Sequence, residues 1–326
     1  MIDLTAPLLE WYGKNKRALP WRESRDAYRV WVSEIMLQQT RIQAVMGYYE
    51  RFMTAFPTVE ALAAAPEEAL LKLWEGLGYY SRARNLHKCA KEVVSRYGGR
   101  FPADVKALRA LPGIGDYTAG AIASIAFDLP AAAVDGNVLR VHARLTADST
   151  PVSDTSHRKA VARELAELYP AGHCGDFTSA LMELGETVCL PGAPRCAACP
   201  LQTLCEANAR GETELYPVMG EKKPRRIEAR NVLLLLRGNR IALRKRPEKG
   251  LLAGLWEFPD GEVPENAEFC GEAVHIFTHV EWHMKGYILR DAPEGDYRWF
   301  TREERQALTL PTAFRFYTAI ADSLGF

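Results

Sequence analysis

The sequence predicts a mainly α-helical module followed by a smaller α+β module, and three observations carry that expectation. Apolar residues recur at spacings of three and four from Asp3 to about Ala209, as in Val30, Trp31, Ile35, Ile42, Val45, Met46 and Tyr49, the period of a one-sided helix. Between Arg210 and Arg230 the pattern stops: GETELYPVMGEKKPRRIEAR is charged, holds two prolines and has no period, as a linker would. Beyond it, NVLLLLRGNRIALRKRP reads as strand, tight turn, strand. A chain of 326 residues accommodates two domains. The expected layout is residues 1–209, a linker over 210–230, and a second domain over 231–326.

Within the first module, Pro57, Pro66, Pro102 and Pro130 punctuate the helices. FPTVEALAAAPEEALLKLWEGLGYY predicts two helices, the second starting at Pro66 and stopping at Gly76 and Gly78. LPGIGDYTAG (Leu111–Gly120) predicts a glycine-bracketed hairpin opening a helix near Thr118, so that residues 108–127 form a helix-hairpin-helix. Gly113 and Gly115 would permit backbone conformations that a β-carbon resists. In the second module FCGEAVHIFTHVEWHMKGYILR predicts further strands, and Ala313 to Leu324 a final helix. His275, His279 and His283 recur every fourth residue, a spacing read as ordinary strand side chains over a metal triad.

Composition narrows the class. Hydrophobic residues make up 48% of the chain, which supports packed cores, and 41 basic residues balance 41 acidic ones. A neutral total leaves nucleic-acid binding to the local field. The longest apolar run, Val232 to Leu236, is too short to span a membrane. The N-terminus places its charges after its apolar residues, the reverse of a signal peptide. A reducing cytoplasm is therefore expected, with nucleoid association if the source is bacterial. There, clustered cysteines read as metal ligands sooner than disulfides.

Four cysteines cluster: Cys189, Cys196, Cys199 and Cys205, a loop over 189–205 with gaps of six, two and five residues. Thiolates so spaced can wrap one metal centre. One Cys-x2-Cys knuckle is compatible with zinc, and four cysteines with no nearby histidine also suit a [4Fe–4S] cluster. Cys89, Cys174 and Cys270 are scattered and read as small buried residues. The hairpin would turn backbone N–H groups outward at a helix N-terminus, a phosphate-holding arrangement that is also an ordinary packing corner. Arg82, Arg84 and Lys88 add charge suited to a nucleic-acid backbone or to a solvated face.

Two carboxylates stand out. Glu34 sits in VWVSEIMLQQT with Val30 and Leu37 as helical neighbours. Either it is a solvated helix residue, or apolar surroundings raise its pKa and make it a general acid. Asp135 precedes the helix GNVLRVHARL. It serves as an N-cap, as an anion aimed at a developing sugar cation, or as both.

Together LPWRESRDAYRVWVSEIMLQQTRI, LWEGLGYYSRARNLHK, LPGIGDYTAGAI, VDGNVLRVHAR and the cysteine loop resemble the helix-hairpin-helix DNA glycosylases of the endonuclease III superfamily. Within it the resemblance is to the MutY-type adenine DNA glycosylases and covers nearly the whole chain. The resemblance implies a base-excision repair enzyme that removes adenine paired with 8-oxoguanine, or with guanine, from double-stranded DNA, acting as a monomer with a [4Fe–4S] cluster on the four cysteines.

It further implies roles for matching positions. Glu34 would protonate adenine at N7, Asp135 would stabilise the oxocarbenium-like sugar, and Asn137 would orient acids and water. Tyr117 stands where lyase-active relatives hold a nucleophilic lysine, which implies hydrolysis without strand cleavage. Gln39 and Tyr79 match wedge residues, and Arg17, Trp21 and Leu37 match the adenine pocket wall. GLLAGLWEFP (Gly250–Pro259) resembles a Nudix-type domain lacking its catalytic helix, and Thr278 and His279 in FTH match a loop that contacts 8-oxoguanine. The chain departs from the family at Thr278, usually Ser, and at Ser179, usually Glu or Gln. Glu183, one turn beyond Ser179, is expected either to replace that contact or to lie on the surface. The alternatives are a thymine or uracil mismatch glycosylase, a DNA lyase of the same superfamily, and a non-catalytic iron–sulfur DNA-binding module.

Overall fold

Side-chain caps set where the helices begin. In the computed structural model, which describes residues 4–220 and 224–326, Asp26, Asp104, Asp135 and Asp154 each accept a backbone N–H at the start of a helix. Each satisfies a donor that has no partner within its helix, a contribution of about 1 kcal/mol. Residues 1–3 and 221–223, the latter within the expected linker, lie outside the described residues.

The helices are α1 (Thr5–Asn15), α2 (Ala27–Leu37), α3 (Ile42–Ala55), α4 (Val59–Ala64), α5 (Glu67–Trp74), α6 (Ser81–Tyr97), α7 (Val105–Arg109), α8 (Asp116–Phe127), α9 (Gly136–Thr146), α10 (Thr155–Ala166), α11 (Cys174–Thr187), α12 (Glu206–Ala209), α13 (Arg302–Ala307) and α14 (Arg315–Ser323). The strands are β1 (Arg226–Arg237), β2 (Arg240–Lys245), β3 (Trp256–Glu257), β4 (Glu268–Ile276), β5 (Val280–Leu289) and β6 (Arg298–Phe300). The chain divides into two units, one of Met1–Ala64 with Asn85–Glu221 and one of Ala65–Arg84 with Lys222–Phe326.

In the first unit α2 packs on α8, and α11 packs on α8, α9 and α1. Leu8, Val138, Val141, Phe177, Leu181, Leu184 and Leu201 form the core beneath α9 and α11. Each such burial contributes about 1.5–3 kcal/mol. Close approach needs small residues: a Cβ at Gly120 would lie 2.4 Å from the Ala132 carbonyl oxygen, and one at Gly185 2.6 Å from the Asn137 Cβ. The hairpin between α7 and α8 requires glycine at position 113, where φ is +75° and a Cβ would meet the Asn85 Cβ at 2.7 Å. Gly115 differs from the expectation: it is the N-cap of α8 with φ −91°, and open space surrounds its missing Cβ. Any residue adopts that backbone, so only one of the two glycines is conformationally required.

In the second unit the sheet order is β3-β2-β1-β5-β4, with β6 beside β2. β1 runs parallel to β5, and β4 is antiparallel to β5. The unbroken run from Val232 to Leu236 is explained by two covered faces. Val232, Leu234 and Leu236 join one core with Phe314 and Tyr317, while Leu233 and Leu235 join another with Leu289 and Ala292. β1 begins at Arg226, inside the stretch read as linker, because its charged first half pairs through the backbone with β5 from Val280 onward. Between Pro259 and β4 there is no helix. Cys89 and Cys174 are buried, whereas Cys270 on β4 is only half-buried.

Candidate active site

Glu34 lies in the middle of α2, buried at 6% exposure. Burial pushes its carboxyl up to about 7; the Tyr117 hydrogen bond opposes that shift and the nearby Asp135 charge adds to it. Tyr117 stands at the start of α8, and its hydroxyl donates to Glu34 Oε2. Burial, with Glu34 beside it, holds this phenol well above its ordinary range, so Tyr117 stays neutral. Across the same cleft Asp135 caps α9, its Oδ1 accepting from Val138 N at 2.8 Å. Burial raises the Asp135 carboxyl, while the Val138 N–H and Asn137 favour its charged form. Asn137 Nδ2 donates to Asp135 Oδ2 and to Glu186 Oε1, both at 2.9 Å.

These groups line one cleft of about 1390 Å³, together with Arg17, Trp21, Leu37, Gln39 and Ser179. Every catalytic and pocket residue expected from the sequence is thus gathered there. Gln39 is exposed at the rim in a left-handed conformation, φ +57°, uncommon outside glycine. Glu183, expected either to replace the Ser179 contact or to lie on the surface, does not lie on the surface. It is fully buried and binds Arg17 and Arg22. Burial alone would raise its carboxyl, but hydrogen bonds from the two arginines outweigh that and hold it below the ordinary range.

Behind Asp135, Arg140 Nη2 donates to Asn137 Oδ1 at 2.8 Å and to the Gly185 carbonyl at 2.9 Å, while its Nε donates to the Cys189 carbonyl at 2.7 Å. Cys189, Cys196, Cys199 and Cys205 line a small cavity of about 30 Å³ with Arg144. Arg144 Nη1 donates to Cys189 Sγ at 3.3 Å and to the Leu190 carbonyl at 2.8 Å. Burial pushes the Cys199 thiol up to about 11 and raises Cys205. A metal entering must therefore displace thiol protons. Among the described residues no three His, Cys, Asp or Glu side chains meet closely enough for a single metal ion.

In the second unit the Tyr79 and Thr278 hydroxyls share a hydrogen bond of 2.9 Å, with Tyr79 at φ +48° and 46% exposed. His279 is exposed beside Thr278. Arg82 is committed locally: it donates to the Leu77 and Gly78 carbonyls and lies 5.3 Å from the Trp74 ring and 5.6 Å from that of Tyr79. Burial lowers its guanidinium to about 10. It braces the Tyr79 loop; Arg84 likewise pairs with Glu67. His275 lies on β4 opposite Trp282 and His283 on β5 opposite Val274, so strand pairing separates them.

Sequence reasoning missed Tyr12, Arg22, Glu186 and Arg140. Glu186 had a signal, since it lies seven residues from Ser179 on one helical face. Arg22 had none, because its partner is 161 residues away.

Residues 32–171 match the HhH-GPD superfamily base excision DNA repair protein family, and residues 231–319 match the NUDIX domain. The adenine DNA glycosylase of Mus musculus is 37% identical, over 97% of this chain and 79% of that protein. A solved thermostable thymine-DNA glycosylase superposes with a TM-score of 0.58 at 32% identity, over 63% of this chain and 94% of that one. A non-covalent endonuclease III–DNA complex gives 0.53 at 27% identity, over the same two shares. Fold and site define a helix-hairpin-helix DNA glycosylase with an appended Nudix-like domain. The chain belongs to the MutY-type adenine DNA glycosylases.

Proposed function

We propose that the enzyme excises adenine paired with 8-oxoguanine, and less readily adenine paired with guanine, from double-stranded DNA, hydrolysing the N-glycosidic bond without cutting the strand. The observation that carries this reading is the division between two carboxyls in one cleft. Burial pushes Glu34 up to about 7, so that it has a protonated fraction to give; burial raises Asp135 as well, but there the Val138 N–H and the Asn137 amide work against it and favour the anion. A base inside a duplex must first be flipped out, at roughly a few kcal/mol. Gln39, at the cleft in left-handed backbone, is suited to wedge into the gap.

In the cleft, Glu34 gives its proton to N7. The C1′–N9 bond breaks with its electron pair going to the base, and Asp135 faces the cationic sugar. Water adds through oxygen to C1′ and releases a proton. Tyr117 holds Glu34 and, being a phenol, forms no Schiff base. The Tyr79–Thr278 hydroxyl pair, with His279 beside it, supports recognition of the oxidised guanine.

Labelled duplexes carrying A:8-oxoguanine, A:G, T:G and U:G test the reading. Only those with adenine are expected to break, and only after alkali. Release of thymine or uracil, or nicking without alkali, overturns it.

The four cysteines fit an iron–sulfur cluster: all are soft thiol donors lining one cavity, with no histidine among its lining residues. Cys189, Cys196, Cys199 and Cys205 would hold it, and when bound it would order the loop that they span. Purified protein is expected to absorb visible light and contain about four irons per chain. A colourless, zinc-loaded and fully active preparation contradicts the assignment.

A further inference from the structure

Glu183 has no lone pair left for a ligand. Its Oε1 accepts from Arg17 N at 3.1 Å and Arg17 Nε at 2.7 Å; its Oε2 accepts from Arg17 Nη2 at 3.0 Å and Arg22 Nη2 at 2.7 Å. Those four bonds fill the acceptor capacity of a carboxylate. One turn earlier on α11 the cleft is lined by Ser179.

α11 gives this wall a direction. Glu186 contacts Asn137 beside Asp135, at the sugar end. Met182 Sδ lies 4.0 Å from the Tyr117 hydroxyl, beside Glu34. Ser179 is seven residues from Glu186, about 10 Å further along the helix. A purine with N7 at Glu34 carries its C6 substituent on the same edge, pointing away from the sugar and toward this end. A hydroxyl accepts from an amino group or, by turning, donates to a carbonyl. An acceptor-only side chain would leave an oxo group facing a lone pair, and polar sites of that kind discriminate by about 10⁴–10⁵.

We propose that Ser179 sets base specificity and makes the pocket tolerant at purine C6, so that the enzyme releases 6-oxopurines, with hypoxanthine as probe, as well as adenine. This rests on the adenine-excision reading above. The reaction is the same hydrolysis and needs no co-reactant.

The test compares single-turnover rates on duplexes that differ only in adenine or hypoxanthine opposite 8-oxoguanine, for the wild type, Ser179→Glu and Ser179→Gln. In the wild type, hypoxanthine is expected within about 10²-fold of adenine, far short of polar discrimination. Ser179→Glu, acceptor-only, should raise the adenine-to-hypoxanthine ratio about tenfold or more. Ser179→Gln is similar in size, but its amide both donates and accepts, so it should leave the ratio near the wild-type value. Intrinsic leaving ability and the opposite base cancel between variants. Adenine release with hypoxanthine slower than about 10²-fold overturns the proposal, as does an unchanged ratio in a folded Ser179→Glu. The wild-type ratio decides the matter if that variant does not fold. Failure to release adenine at all takes down the excision reading together with this one.

Discussion

Glu34→Gln is expected to bind an A:8-oxoguanine duplex as the parent does and to excise adenine about 10²–10⁴-fold more slowly, the range that a positioned general acid contributes. Gln keeps the shape and still accepts from the Tyr117 hydroxyl, but it has no proton to give. Single-turnover rates beside a binding titration separate the two effects; near-parent turnover removes Glu34 from the mechanism. In the parent, activity that depends on protonated Glu34 should fall as pH rises through about 7. Stability has a worked sign as well. The folded state binds the Glu34 proton up to about 7, whereas the unfolded chain releases it near the ordinary 4.5. The fold therefore loses stability as pH rises from 4.5 to about 7, by about 3 kcal/mol from this group, and the loss is complete above that window. Glu34→Gln should accordingly raise the melting temperature at pH about 8 and change it little below pH about 4. Equal effects at both would contradict a buried, high-pKa carboxyl.

The second large effect is at Asp135, where a cap and a catalytic anion coincide. Asn caps helices as well as Asp does, so Asp135→Asn should keep the α9 start and stability within a few tenths of a kcal/mol. It removes the charge facing the sugar, and excision should fall about 10²–10³-fold, the cost of removing one preorganised electrostatic stabiliser. Asp135→Ala loses both functions and should also cost about 1 kcal/mol in denaturant unfolding. If Asp135→Asn is as active as the parent, Asp135 is a cap alone.

What the sequence disclosed was local. The cap at Asp135 and the apolar flanks of Glu34 depend on residues within a turn or so, and spacing alone indicates them. The four cysteines lie within one short loop and share one cavity. What stayed hidden depends on distant partners. Glu183 meets Arg17 across 166 residues, and Tyr79 meets Thr278 across 199; no spacing rule connects either pair. Arg82 resembled a phosphate ligand because sequence shows its charge and not the rings of Trp74 and Tyr79 that fold around it. Gly115 was read as a second strained glycine, but an N-cap position with φ −91° imposes no such demand. The histidines at every fourth residue were read as ordinary strand side chains, and His275 and His283 do stand on different strands, β4 and β5.

Arg140 fastens the carbonyl of Cys189 to the side chain that steadies Asp135. A shift of the Cys189 backbone would therefore be passed on to Asn137 and Asp135 through one side chain. A lesion in that arginine would unsettle the Asp135 side of the cleft and leave Glu34 and its Tyr117 partner in place.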